Sequence, residues 1–203
     1  MEDLLNATLG DRVPRRGNQF TRWLGRFLMR CLGGWRVQGE FPNEPKMVVA
    51  VGPHTSNWDF VVAMPVVLAL GLKLSYLAKH TLFRPPFHLF FEMFGGIPLD
   101  RANPAGVVST MANTFAERSQ LILAIAPEGT RGETAGLKSG FLRIARTADV
   151  PVLLVGLDFE RRIIDFGPLI RPVADIEADK KQVLDYFAGF TGKRPQSVDH
   201  HVR

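Results

Sequence analysis

Apolar and polar positions along this chain follow two patterns, one typical of strands and one typical of helices. Short apolar runs rich in β-branched residues, of which 46–51 is the clearest, predict buried strands, and segments of helical periodicity separate them. The pattern predicts strands at 46–51, 73–78, 97–99, 121–126, 150–157 and 163–166, and helices at 18–33, 58–70, 87–94, 104–119, 138–148 and 176–187. This alternation indicates an α/β fold, a single layered domain with a mostly parallel central sheet flanked by helices and preceded by an N-terminal amphipathic helix.

The first predicted helix, at 18–33, combines an aromatic-rich apolar side with a basic stripe. At about 100° per residue its apolar residues share one half of the helix. They are Phe20, Trp23, Leu24, Phe27, Leu28, Cys31 and Leu32, and the stripe beside them is Arg22, Arg26 and Arg30. Such a helix either lies in a membrane interface or packs its apolar side on its own domain. The pattern favours neither interpretation, and the two are compatible.

The sequence predicts neither a membrane-spanning helix nor a secretory signal. No window has the roughly 18–20 uninterrupted apolar residues of a spanning helix. The longest apolar segment, Val61–Leu72, contains Pro65 and is interpreted as a buried core helix. Met1–Arg16 includes acidic residues and no apolar stretch, so it does not predict a secretory signal.

Composition and charge narrow the class of protein. A length of 203 residues suits one domain, and one cysteine, Cys31, excludes an internal disulfide and indicates a reducing compartment. Most of the net charge of +5 comes from residues 1–36, which contain seven arginines and three acidic residues. Such a segment suits an anionic partner, either nucleic acid or lipid headgroups. Because no groove-reading or base-stacking motif accompanies it, we expect an anionic membrane surface and no nucleic acid.

The first candidate for chemistry follows the strand at 46–51. A Gly-Pro pair breaks that strand before His54, and a polar residue at 56 or 57 can cap the next helix, so that Asp59 lies in its first turn. From there Asp59 can hold the imidazole as a general base. The spacing alone is expected by chance roughly 0.3 times in such a chain, so it does not exclude a structural histidine beside a capping aspartate.

Basic residues follow three further predicted strands. The segment 126–131, APEGTR, offers a glycine for close backbone approach, amide donors and an arginine fork for phosphate or carboxylate. The segment 96–101, GIPLDR, delivers Arg101, and Lys79 follows the strand at 73–78. Alone, each is more often a turn with a surface salt bridge. In a mostly parallel sheet, however, ligands bind outside the carboxyl ends of the strands, where we expect these groups to meet His54.

Together these segments resemble the four ordered blocks of the glycerolipid acyltransferase superfamily, which includes the 1-acylglycerol-3-phosphate acyltransferases. The matching blocks are the HX4D motif of His54 and Asp59, GIPLDR at 96–101, PEGTR at 127–131 and VPV at 150–152. A specified pentapeptide such as PEGTR is expected by chance in roughly one chain in ten thousand or fewer, so this block is far more specific than the His-Asp spacing. The resemblance spans about residues 48–155.

The resemblance implies direct acyl transfer without an acyl-enzyme. His54 would deprotonate the acceptor hydroxyl, which attacks the thioester of acyl-CoA or acyl-carrier protein, and Asp59 would orient the histidine. The acceptor would be held through its phosphate by Arg101, Glu128, Gly129, Thr130 and Arg131, with Lys79 as a further basic contact. The acyl thioester is a co-substrate, and no metal or other cofactor is implied.

On this interpretation the chain divides into a basic amphipathic membrane-docking segment at 1–35, an acyltransferase domain at 36–190 and a polar tail at 191–203. We expect a cytoplasmic protein, peripheral on the inner face of the membrane, that acylates a lysolipid in phospholipid biosynthesis.

Two alternatives stay open at this point. Asp100 places a negative charge where many relatives are more basic, which leaves lyso-ornithine or another lyso-aminolipid as acceptor. A non-catalytic membrane-surface lipid-binding protein is the alternative from another class, and the presence of both His54 and Asp59 argues against it.

Overall fold

The structure is a computed structural model, and it describes residues 9–79, 83, 85, 88–99, 104–128, 137–172 and 175–194. In chain order these residues form α1 (Gln19–Cys31), β1 (Arg36–Gly39), β2 (Lys46–Gly52), α2 (Trp58–Leu70), β3 (Leu74–Lys79), α3 (His88–Met93), β4 (Gly96–Leu99), α4 (Pro104–Glu117), β5 (Leu121–Ile125), α5 (Gly140–Thr147), β6 (Val152–Asp158), β7 (Ile163–Ile170) and α6 (Ile176–Phe187).

The strands form one sheet in the order β1-β7-β6-β2-β5-β3-β4. Neighbouring strands pair in parallel except β6 and β7, which are antiparallel. β2 lies in the middle of the sheet because its residues Met47–Ala50 are apolar on both faces, and each is at most 4% exposed. The predicted α/β fold with a mostly parallel sheet flanked by helices is confirmed.

The strand register divides the core into two layers. Met47 and Val49 of β2 point into a cluster with the buried sides of α1 and α2, whereas Val48 and Ala50 point into a cluster with α4, α5 and α6. This alternation follows from the period of two residues in a strand. The two clusters hold the helices on opposite faces of the sheet.

Two strands differ from the sequence-based predictions by more than two residues at one end or were missed. β1 was missed because four residues with only Val37 buried show no pattern. β7 continues from the predicted 163–166 to Ile170, although Pro168 cannot donate a ladder hydrogen bond. The pairing of β6 with β7 shifts register between Leu153 and Val155, and this irregularity accommodates the proline.

α1 packs on α2 through a narrow face. A Cβ atom at Gly25 would lie 2.3 Å from the amide nitrogen of Ala69 and 2.6 Å from the carbonyl oxygen of Pro65, so only glycine allows this approach of the two backbones. The aromatic residues of α1 face away from this contact. Phe20, Trp23 and Phe27 are 63%, 54% and 47% exposed, and their rings stack in a row with centroids 5.9 and 5.6 Å apart. This aromatic row of α1 is therefore not part of the core.

α2 is only in part the buried helix predicted for 61–72. Val62, Val66 and Ala69 are buried, but Phe60 and Val61 are 41% and 42% exposed at the N-terminal end of the helix. The outward side of α2 is therefore apolar, as is that of α1. Within the described part of the chain, no helix combines the length and apolarity needed to cross a membrane.

Candidate active site

The carboxyl ends of four adjacent parallel strands form one edge of the sheet. β2 ends at Gly52, β5 at Ile125, β3 at Lys79 and β4 at Leu99, and these strands are consecutive in the sheet. The turns that follow β2 and β5 carry His54 and Glu128, so the topology brings these two residues together as the sequence predicts.

The structure does not describe several of the predicted site residues or their side chains. Arg101, Gly129, Thr130 and Arg131 lie outside the described residues. Lys79 is the last residue of β3, on the expected edge, but its side chain is not described. Their roles in binding a substrate stay predictions.

His54 and Asp59 form a hydrogen-bonded pair in the turn between β2 and α2. The imidazole Nδ1 lies 2.9 Å from Oδ2 of Asp59, and the side chains are 21% and 2% exposed, respectively. Asp59 is the second residue of α2, where the positive end of the helix favours a carboxylate. Because a carboxylate only accepts hydrogen bonds, Nδ1 carries the hydrogen and the lone pair of the neutral ring lies on Nε2.

Hydrogen bonds of Ser56 and Asp59, in the manner of a capping box, fix the turn that carries this pair. The N–H of Ser56 donates to Oδ2 of Asp59 at 2.9 Å, and the hydroxyl oxygen of Ser56 accepts from the N–H of Trp58 at 2.9 Å. Asn57 makes no side-chain capping bond, so Ser56 is the capping residue. The sequence Ser-x-x-Asp at 56–59 is the signal that identifies this box. The same carboxylate oxygen therefore caps the helix and holds the histidine.

Glu128 is bonded to the backbone of this turn. Its Oε2 accepts a hydrogen bond of 2.6 Å from the N–H of His54, and this bond ties the end of β5 to the turn after β2. Burial raises the pKa of Glu128, and the negative charge of the nearby Asp59 raises it further. The hydrogen bond from the N–H of His54, and the charge of the His54 ring when it is protonated, lower the pKa in part, so that the net pKa is above its ordinary value. The family resemblance implied a contact of Glu128 with the acceptor, and no local sequence pattern indicated this backbone contact.

The segment 189–194, which follows α6, crosses the same edge of the sheet. The carbonyl oxygen of Thr191 accepts from the N–H of Phe159 at 2.8 Å, and the N–H of Arg194 donates to the hydroxyl oxygen of Thr55 at 3.2 Å. A Cβ atom at Gly192 would lie 2.6 Å from Cγ2 of Thr55. Within the range predicted as a polar tail, 191–203, the described residues thus contact the domain beside His54.

Asp158 anchors this segment at the end of β6. Its side chain is 1% exposed and accepts hydrogen bonds from the N–H and Nε of Arg161 at 2.6 and 2.8 Å and from the N–H of Thr191 at 3.2 Å. Burial by itself raises the pKa of Asp158, but these hydrogen bonds outweigh it and hold the pKa below its ordinary value. The ionised carboxylate therefore fastens residue 191 to the sheet.

The fold and the His–Asp pair together are those expected of an α/β acyltransferase. A family model for acyltransferases matches residues 35–157, which is more than half of the chain. The chain therefore belongs to the acyltransferase family, and the resemblance found in its sequence is confirmed. The matched range includes His54, Asp59 and Glu128.

Comparison with solved structures supports the same architecture. The chain is similar to the 1-acyl-sn-glycerophosphate (LPA) acyltransferase PlsC from Thermotoga maritima, with 19% sequence identity and a TM-score of 0.55. The likeness covers 82% of this chain and 76% of that chain, and at this identity it shows the fold. Among curated proteins, no sequence matches this chain significantly.

Proposed function

We propose that the protein is an O-acyltransferase that moves a fatty acyl group from acyl-CoA or acyl-carrier protein to a lysolipid hydroxyl in phospholipid biosynthesis. The observation that carries the proposal is the 2.9 Å contact of His54 with Asp59 at the carboxyl edge of the sheet, in a chain of the acyltransferase family. The name of the T. maritima protein supports an acceptor like 1-acylglycerol-3-phosphate.

The chemistry requires a base at the acceptor hydroxyl. Nε2 of His54 takes the hydroxyl proton as the oxygen attacks the thioester carbonyl carbon, and Asp59 stabilises the imidazolium that forms. When the tetrahedral intermediate collapses, the carbon–sulfur bond breaks and the thiolate recovers the proton from His54. General-base assistance contributes typically ~10²–10⁴-fold, and the positioning of two substrates supplies much of the remaining acceleration.

Glu128 has a positioning role in this proposal. Its bond to the N–H of His54 fixes the backbone from which the base projects. We propose that the phosphate of the acceptor is bound by Arg101 and the block 129–131, with Lys79 nearby, because the strands that precede them end on the same edge as β2.

We also propose that the protein is peripheral on the anionic inner face of a membrane, with α1 as the docking element. The acyl chain of the acceptor is apolar and partitions into bilayers, so the enzyme takes the acceptor from a bilayer surface. The exposed aromatic row of α1 suits burial in the interface, and Arg26 and Arg30 on the same helix suit anionic headgroups.

A lysolipid panel tests the proposed function. The purified protein is incubated with labelled acyl-CoA or labelled acyl-carrier protein and with lysophosphatidate, lysophosphatidylethanolamine or lyso-ornithine lipid, and the products are separated by chromatography. We expect the fastest transfer to lysophosphatidate. Preferential acylation of lyso-ornithine lipid would move the acceptor to the lyso-aminolipids, and the absence of any product together with intact vesicle binding would favour a non-catalytic lipid-binding protein.

A further inference from the structure

Two neighbouring cations, Lys193 and Arg194, lie beside the turn that carries His54. The backbone N–H of Arg194 is bonded to the hydroxyl of Thr55, the residue next to His54. The Nζ atom of Lys193 lies 5.9 Å from the ring centroids of both Trp58 and Phe159. Trp58 begins α2 directly before Asp59, so the ammonium group lies beside the first residue of the helix that carries Asp59.

The backbone that carries these cations is held in place. Besides the bonds of Thr191 to Phe159 and Asp158, the carbonyl oxygen of Gly189 accepts a 2.6 Å hydrogen bond from Arg161. Gly192 passes so close to Thr55 that a side chain there would meet it. The backbone of residues 189–194, here called the strap, is therefore fixed at the edge of the sheet, and it carries both cations.

In the part of the chain that the structure describes, the ion pairs involve residues other than the two cations of the strap. The lysines of α6, Lys180 and Lys181, for example, pair with Glu177 and Asp185. Asp158 is neutralised by Arg161, and Glu160 accepts a hydrogen bond from the hydroxyl of Thr191 at 3.2 Å. Two cations beside a partly open site attract an anionic group of a substrate.

We propose that Lys193 and Arg194 bind a phosphate group of a substrate, and that the strap 189–194 thereby adds a binding contact to the acyl-transfer site. Both side chains donate charge-assisted hydrogen bonds to phosphate, and arginine can do so with two parallel bonds. The phosphate belongs either to a lysophosphatidate acceptor or to the thioester donor. This inference rests on the proposed function, since it assigns the strap to the same site.

Steady-state kinetics of a Lys193→Ala/Arg194→Ala double variant test the proposal. The assay uses palmitoyl-CoA and lysophosphatidate in neutral detergent micelles, so that attraction to an anionic bilayer does not contribute. We expect the KM for one substrate to rise by about tenfold or more, by a larger factor than kcat falls, because two charge-assisted contacts are lost. A rise for lysophosphatidate identifies the acceptor phosphate, and a rise for palmitoyl-CoA identifies the donor phosphate.

Two matched variants control for the loss of charge. The double variant Lys180→Ala/Lys181→Ala also removes two positive charges, but from α6, and it is expected to leave both KM values unchanged. The pair Lys193→Arg/Arg194→Lys keeps the charges on the strap and is expected to keep KM within about threefold of the wild type. Equal KM values in the wild type and the double alanine variant of the strap would overturn the proposal.

Equilibrium binding separates a failure of this inference from a failure of the proposed function. Isothermal titration with coenzyme A and with lysophosphatidate measures binding without turnover. A wild-type protein that transfers no acyl group, yet binds one of these ligands more tightly than the strap variant, contradicts the proposed function alone. A wild-type protein that transfers acyl groups, with KM and Kd values matched by the strap variant, contradicts this inference alone.

Discussion

Asp59 performs two tasks with a single carboxylate oxygen. Oδ2 accepts from Nδ1 of His54 and from the N–H of Ser56, so the capping of α2 and the tautomer of the histidine depend on the same atom. The positive end of a helix stabilises a negative charge at this position. A residue that caps a helix thus also takes part in the proposed chemistry, because His54 follows the preceding strand and contacts the same carboxylate oxygen.

Glu128→Gln is expected to become more stable relative to the wild type as the pH rises. The pKa of Glu128 is raised above its ordinary value of 4.5, chiefly by burial, so between the two values the unfolded chain ionises first and folding of the wild type is penalised. Below 4.5 the carboxyl is protonated in both states and this penalty is absent. Urea unfolding at acid and neutral pH measures the difference in the free energy of unfolding.

Glu117→Gln, on the exposed end of α4, is the control for this experiment. Its stability relative to the wild type is expected to change little over the same pH range. If the free energy of unfolding of Glu128→Gln, relative to that of the wild type, stays constant or falls as the pH rises, the account of this carboxyl group is contradicted.

At the scale of elements, the strap 189–194 depends on the end of β6. Asp158→Asn is expected to lower the free energy of unfolding at neutral pH by about 1–3 kcal/mol, because it weakens the charge-assisted hydrogen bonds of a buried carboxylate. The pKa of Asp158 is held below its ordinary value of 3.8, so its contribution is fully present above that value and is lost as the pH falls through the lower folded value. Urea unfolding across this range measures the effect.

Hydrogen exchange provides a local measure of the same change. The amide of Thr191 is expected to exchange faster in Asp158→Asn, because it donates to that carboxylate in the wild type. Asp185→Asn, on the exposed side of α6, is the matched control and should leave both stability and this amide nearly unchanged. Equal exchange rates in Asp158→Asn and the wild type would show that the strap is held by other contacts.

Periodicity located most elements because a core helix or strand must present a continuous apolar side. The same pattern could not reveal β1, whose four residues include only Val37 as a buried position. Local spacing predicted the contact of His54 with Asp59, but the long-range contacts at the site are absent from local patterns. Glu128 is 74 positions from His54 and Arg194 is 139 positions from Thr55, and one partner in each contact is a backbone N–H that any residue provides.

At the scale of the whole molecule, exposed apolar side chains occur on α1 and at the site end of α2. Phe20, Trp23 and Phe27 form the row on α1, whereas Trp58 and Phe60 are 52% and 41% exposed within a few residues of His54. Because α1 packs on α2 through Gly25, a surface bound by α1 also lies near the helix that begins beside the His54–Asp59 pair. This arrangement suits an enzyme whose acceptor stays in a bilayer.

The triple variant Phe20→Ser/Trp23→Ser/Phe27→Ser tests docking. Each large apolar side chain contributes roughly 1.5–3 kcal/mol when it is fully buried, so we expect at least about tenfold weaker association with anionic vesicles in a sedimentation assay. The control is Leu169→Ser/Leu184→Ser, which removes side chains that are 39% and 50% exposed on β7 and α6. Undiminished vesicle binding by the triple variant would argue that the aromatic row serves another purpose.

The acyl-transfer rate of His54→Ala tests the central claim most directly. The variant is measured with labelled donor and the best acceptor of the panel, beside circular dichroism and vesicle sedimentation that report on its fold and docking. Loss of the general base is expected to lower kcat by at least about 100-fold while fold and docking are retained. A folded His54→Ala protein that transfers acyl groups at the wild-type rate would contradict the assignment of His54 as the base.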